Sequence, residues 1–242
     1  MRALVAQARA EVAMTLRRGE SILLAVGIPV LLLVFFSVVK VLPKDPAARN
    51  EVSFLAPGIL ALAVMSTAMV SLGIATGFER SYGVLKRLGT TPLSRPALLA
   101  AKTVAIVVVE AAQIVVLVPV GVALGWSPKG GGLVALAAVA LGTIAFAGLG
   151  LLMAGTLRAE VTLAAANGLY LALLLLGGMV VPLAKLPGAL RAVARVLPSG
   201  ALSDALHSAL GTGAGVPGRA WVVLVVWAVL APAAAAATFR WE

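Results

Sequence analysis

Phe78-Glu-Arg-Ser-Tyr-Gly-Val-Leu-Lys-Arg-Leu-Gly-Thr-Thr-Pro-Leu-Ser-Arg-Pro96 is the longest polar interruption in the first half of an otherwise apolar chain. Apolar runs flank it on both sides, each longer than the ~18 residues that suggest a bilayer crossing. The segment therefore reads as a loop between two membrane helices, with a short amphipathic helix of its own over 79–88. Glu79 stands in the first turn and Lys86 and Arg87 in the last, which suits the helix dipole at both ends. Gly89 can close the helix in a left-handed cap, and Pro92 stops it from continuing. Val84, Leu85 and Leu88 share one side, leaving the charges to water. Such a helix either lies on the membrane surface or presses its apolar side on a partner.

Working outward, the composition fixes the class. Of 242 residues, 62% are hydrophobic and 12% charged, and the mean hydropathy is +1.09. No soluble domain of this length hides so much apolar surface. The expected fold is all-α: a polytopic membrane protein with six transmembrane helices, forming a single membrane domain over 1–242. The net charge of +10 does not point to nucleic acid, because the basic residues lie in short turns between apolar runs with no aromatics interleaved. Anionic headgroups of membrane lipid account for them.

The spans are expected at 21–41, 53–77, 96–125, 133–157, 161–181 and 220–239. Residues 1–20 form an amphipathic stripe of Leu4, Ala8, Val12 and Leu16, with Val5 alongside, suited to the headgroup plane. Small residues in the second span, among them Ala61, Ala63, Ser66 and Gly73, permit close helix packing. Trp126 is placed to anchor at an interface. Residues 182–218 are less apolar and hold two half-bilayer helices. One carries Leu190, Val193 and Leu197 on a face. The other carries Leu202, Ala205, Leu206, Ala209 and Leu210, capped by Ser199 and ended by Gly211. They either dip into the bilayer as a re-entrant hairpin buried against protein or lie flat on the surface.

Six spans put both termini on one side. Placing them in the cytoplasm assigns eleven basic residues inside: Arg2, Arg9, Arg17, Arg18, Arg80, Lys86, Arg87, Arg95, Lys102, Arg158 and Arg240. Eight fall outside: Lys40, Lys44, Arg49, Lys129, Lys185, Arg191, Arg195 and Arg219. The bias has the positive-inside sign, and a multi-pass protein of the cell (inner or plasma) membrane is expected. The first apolar run is too long for a signal-peptide h-region, so no cleavable leader is expected.

Chemistry is sparse. There is no cysteine, hence no disulfide or thiolate site, and no Gly-x-x-x-x-Gly-Lys-Ser/Thr loop for ATP. His207 is the single histidine and lacks partners for a metal or a triad, so no metal site is expected. Asp204, three residues earlier, suggests a helix-surface hydrogen bond or a polar gate near the outer exit. Glu110 is the one carboxylate deep in a span, with Gln113 a turn away and Asn167 a weaker case. Burying Glu110 ionised costs about 2.5–3.5 kcal/mol on an insertion scale. It either lines a cargo cavity or is hydrogen-bonded to a neighbouring helix.

The order Glu79-Arg80, Gly83, Leu85-Lys86-Arg87-Leu88, Thr91-Pro92-Leu93-Ser94-Arg95 and then Lys102 resembles the first cytoplasmic loop of type-2 ATP-binding-cassette exporter permeases. The resemblance implies that 79–88 is a coupling helix docking on an ATPase, with Glu79, Arg80, Gly83, Leu85, Lys86, Arg87, Leu88, Thr91 and Pro92 as contact residues. It implies an N-terminal interfacial helix beside that loop and a re-entrant hairpin on the external side. Two ATPase subunits would hold ATP and Mg, with no cofactor on this chain. A second permease, identical or related, would complete the pathway. The implied cargo is hydrophobic or amphipathic: a drug, a lipid or a lipid-linked glycan. Two other classes stay open, a proton-driven transporter using Glu110 and a non-transporting membrane scaffold.

Overall fold

A computed structural model describes residues 2–17, 19–39, 51–90, 94–212 and 215–239. Thr91, Pro92, the bulk of the 43–51 turn and the basic residues Arg18, Lys40, Lys44, Arg49 and Arg240 lie outside the described residues. Among those described, every regular element is helical: α1 (Arg2–Arg17), α2 (Gly19–Val39), α3 (Glu51–Met65), a π segment (Ser66–Ser71), α4 (Leu72–Ser81), α5 (Val84–Gly89), α6 (Arg95–Ala123), α7 (Gly132–Thr156), α8 (Ala159–Leu176), a 3₁₀ turn (Leu183–Lys185), α9 (Gly188–Ala194), α10 (Pro198–Leu206), a second π segment (His207–Thr212) and α11 (Gly218–Thr238). Among the described residues, six stretches are long and apolar enough to cross a membrane: α2, the continuous helix Glu51–Ser81, α6 from Pro96, α7, α8 and α11. The protein is a polytopic helical membrane protein.

The second span is the axis of the bundle. From Phe54 to Met65 every residue is buried, and α2, α6, α7 and α10 all pack on it. Small residues let the backbones meet, as their spacing suggests. A Cβ at Gly150 of α7 would run into the Met69 carbonyl of the π segment, and one at Gly148 into the Pro232 backbone of α11. Helix α7 is thus clamped between the axis and the last span. By contrast, much of α2, α8 and α11 is exposed, as expected of surfaces that meet lipid or another membrane helix.

Several boundaries and contacts differ from the sequence pattern. The second span does not stop at Gly77 but runs to Ser81, because no residue before Gly83 breaks it. Trp126 is not an interfacial anchor: it is buried, 3% exposed. Its backbone N–H bonds back to the Gly121 carbonyl at 2.9 Å, and its ring lies over Gly121, where any side chain would clash. In α1 the inward face is Gln7, Ala8, Glu11, Val12 and Thr15, while Val5 and Leu16 are exposed. The inward carboxylate of Glu11 explains the turn of the stripe. Ser199 does not cap its helix. The cap position is Leu197, Pro198 opens α10, and Ser199 is buried inside the first turn. Gly211 does not end the helix either, but lies within the second π segment.

Candidate functional site

The polar loop that opened the sequence is built in two pieces. Helix α4 carries Glu79 and Arg80 on its last turn, so Glu79 does not begin a separate helix. The break is at Tyr82-Gly83. Gly83 has φ 72°, a left-handed conformation that glycine takes without steric cost. The left-handed glycine is thus Gly83 rather than Gly89, which is the last residue of α5. In α5, Leu85 is fully buried and Leu88 half-buried, whereas Val84, Lys86 and Arg87 are exposed. Helix α5 therefore hangs on Leu85 and displays its basic pair outward.

Glu79 and Arg80 reach in different directions from the root of this loop. Glu79 pairs with the Lys102 ammonium near the start of α6, and Lys102 also lies 3.1 Å from Glu11 of α1. The Gln7 amide donates to Glu11 at 2.9 Å. Lys102 is 2% exposed, and a buried ammonium persists only where carboxylates surround it. The Arg80 guanidinium donates to the Leu157 carbonyl just past the end of α7, while Gly77 packs on Thr162 of α8. One short stretch thus holds α1, α6, α7 and α8 together. Sequence reasoning marked Lys102 only as part of a motif and missed Glu11. Its signal was a carboxylate at i+3 from Ala8, on the inward face.

Glu110 and Gln113 are both buried, at 3% and 1% exposure. The Thr143 hydroxyl of α7 donates to Glu110 Oε2 at 2.6 Å. Gln113 Nε2 donates to the Ala25 carbonyl of α2 at 2.8 Å and to Thr67 Oγ1 of the π segment at 2.9 Å. Glu110 Oε1 and Gln113 Oε1 have no hydrogen-bond partner among the described residues. These two residues tie α6 to α2, α7 and the π segment. Asn167 is apart from them, exposed on α8 with its amide bonded to the Leu163 carbonyl.

At the opposite end of the bundle, Asp204 and His207 each reach a different helix. Asp204 pairs with Arg219 of α11 at 2.9 Å. Burial pushes its carboxyl above the ordinary range, with Arg219 and His207 pulling the other way. His207 Nδ1 lies 2.8 Å from the Ser203 carbonyl and Nε2 lies 2.9 Å from the Phe54 carbonyl of α3. The ring also rests on Phe54, with centroids 4.5 Å apart. His207 thus pins the α10 segment to the first turns of the second span.

Two adjoining cavities lie along α2. One, of about 440 Å³, has Glu11, Glu79 and Lys102 at its polar end and Ile22, Val70 and Val109 among its apolar walls. The other, of about 270 Å³, continues past Ser21, Ala25 and Ser71 to Leu32 and Ile59. No group of acidic or histidine side chains among the described residues could hold a metal ion.

Residues 2–210, which carry this geometry, match the family model described as ABC-2 type transporter. The chain belongs to the ABC-2 type transporter family. No curated protein matches it. As an ABC-2 protein it is the membrane permease of an ATP-binding-cassette transporter, a transport component that pairs with an ABC ATPase and performs no catalysis of its own. The match takes in α1, the six-residue α5 and all of α10, so the ABC-2 domain includes both the Lys102 cluster and the His207 segment.

Proposed function

We propose that this permease belongs to an exporter, with α5 as the coupling helix and the Glu11–Lys102–Glu79 cluster and Arg80 as its root. The termini and the 79–95 loop face the cytoplasm. Two ATPase subunits, carrying ATP and Mg, dock on α5 of two permeases, identical or related. Lys86, Arg87 and Leu88 make the contact, and Gly83 sets the angle. Thr91 and Pro92 belong to the same contact on sequence grounds. Closure of the ATPases pushes α5, and Leu85 passes the push into the bundle. Arg80 passes it to α7, and Glu79 to α6 and α1. The cavity between the two permeases then opens outward and releases a hydrophobic or amphipathic cargo. Asp204 and His207 hold the external hairpin at the exit. Glu110 and Gln113 act by fixing helix positions around the pathway, and Asn167 on the exposed face of α8 is open to cargo.

The observation that carries this reading is the divided grip of Glu79 and Arg80. A six-residue helix with exposed basic residues has no evident use alone, but rooted in four long helices it is a lever. The test is co-purification of the ATPase with the wild-type permease and with Lys86→Glu/Arg87→Glu. Recovery with wild type and loss with the double reversal is the expected outcome. A wild type that brings down no ATPase would sink the proposal.

A further inference from the structure

The two cavities along α2 share Ser21, Ala25 and Ser71 and so form one continuous groove. From Ser21 to Leu32 it extends about 17 Å at 1.5 Å per residue. Its inner part is walled by Leu24, Ile28, Leu32, Ile59 and Leu62, with the Ser66 hydroxyl and the Tyr170 side chain among them. Its mouth is walled by Glu11, Glu79 and Lys102. Two carboxylates share one ammonium there, leaving the cluster one negative charge from neutrality. Glu11 and Lys102 are closed off, but the Glu79 side chain keeps 19% exposure. One carboxylate of a net-negative cluster thus remains open at the end of a long groove whose walls are aliphatic side chains interspersed with hydroxyls.

We propose that this groove is a binding site for an amphiphile with one positively charged nitrogen and an apolar chain. The ammonium meets Glu79 and brings the cluster to neutrality, where partial burial makes the attraction stronger than in water. The chain lies along α2 past Ser71 toward Leu32, where burial of each CH₂ contributes about 0.8 kcal/mol. A bare metal cation would leave the groove empty, and an anionic head would face the surplus carboxylate. The charged mouth lies against α1, so the ligand enters from the same membrane face as the 79–90 loop. The site goes beyond the transport reading and stands without it, because it is defined by binding alone.

The nitrogen can come from a free amphiphilic amine or from an ethanolamine lipid headgroup. The experiment measures equilibrium binding of dodecyltrimethylammonium to the full chain in phosphatidylglycerol nanodiscs, a lipid without an amine. Wild type is expected to show one saturable site per chain. Glu79→Gln, which removes the surplus charge, is expected to weaken it about tenfold, or 1.4 kcal/mol. Ser71→Leu places a branched side chain where the two cavities join and keeps the charges, so it tests the site even if Glu79→Gln folds poorly. It is also expected to weaken binding about tenfold. Adding phosphatidylethanolamine to the discs separates the sources. Competition assigns the site to the lipid headgroup, and unchanged affinity assigns it to free amines. Absence of saturable binding to wild type, or affinity unaltered in both variants, would overturn the proposal.

Discussion

Arg80 and Leu157 are joined across the end of the bundle: the Arg80 guanidinium donates to the last carbonyl beyond α7, 77 residues away in sequence. A carbonyl at a helix end has no intrahelical donor, so a cation there satisfies both the hydrogen bond and the dipole. Arg80→Ala leaves that carbonyl without its guanidinium partner. The expected loss is about 1–3 kcal/mol, read as a lowered thermal unfolding midpoint in detergent. Arg80→Lys should recover part of the loss, since it keeps the charge but not the planar fork. An unaltered midpoint in Arg80→Ala would remove Arg80 from the root of the loop.

The Lys102 cluster makes a sharper prediction, because deleting one partner of a buried ion cluster differs from deleting all of it. Lys102→Met strands two carboxylates that share a buried site and should destabilise by about 3–5 kcal/mol. The triple change Lys102→Met/Glu11→Gln/Glu79→Gln removes the charges together. It should recover most of that stability, since apolar replacement of a complete cluster is often neutral. Unfolding by denaturant of the single and triple variants reads the difference directly. A triple variant no more stable than Lys102→Met would show that the charges are not coupled.

Which parts of this architecture were legible in the sequence follows from the range of the forces involved. Six helices long and apolar enough to span were readable because hydrophobic burial is additive along a local window, although the second runs on to Ser81 and the fifth, expected to reach 181, stops at Leu176, before Gly177-Gly178. The Lys102–Glu11 pair was not readable: it joins residues far apart in sequence, and Glu11 falls off the apolar stripe of Leu4, Ala8, Val12 and Leu16, where a charge reads as facing water. Trp126 was misplaced for a related reason. An indole at the end of a span usually anchors at the headgroups, but a glycine at position 121 opens a seat for the ring that only the three-dimensional turn reveals. The π segment at Ser66–Ser71 has no signature in composition, yet it contains the Thr67 hydroxyl that receives Gln113.

Glu110 also yields to a shape-conserving test. Thr143 donates to one carboxyl oxygen, and the other oxygen has no partner among the described residues. Glu110→Gln keeps the acceptor for Thr143 and removes any cost of charge. It is expected to fold and transport at least as well as wild type if Glu110 only positions α6 against α7. Glu110→Ala should lose about 1–3 kcal/mol by leaving Thr143 and a void. Transport abolished by Glu110→Gln in a normally folded protein would give this residue a direct role in the cargo path.

Asp204 sets a pH dependence whose sign follows from burial. Its folded carboxyl titrates above the ordinary value of 3.8, so the folded state holds this proton more tightly than the unfolded chain does. The unfolded state binds fewer protons in that window, and stability contributed by this group falls as pH rises from about 3.8 through the raised folded value. Asp204→Asn should flatten that slope in unfolding midpoints measured across the acid range. An equally steep slope in the variant would place the titration elsewhere.

Gly83 makes the last prediction, on the hinge between α4 and α5. Its φ of 72° lies in the left-handed region, and a Cβ there meets no atom within 4 Å. Any penalty for substitution is therefore conformational and not steric crowding. Left-handed backbone costs an ordinary L-residue about 1–2 kcal/mol, less for asparagine, whose short side chain hydrogen-bonds locally. The expected order of function is Gly, then Asn, then Ala, then Val, because β-branching makes the left-handed region worst. Overall unfolding should change little, since α5 is short and at the surface, while ATPase capture and transport fall in that order. If Gly83→Val retained full capture, the angle of α5 would not matter, and the lever would have to be sought in another segment.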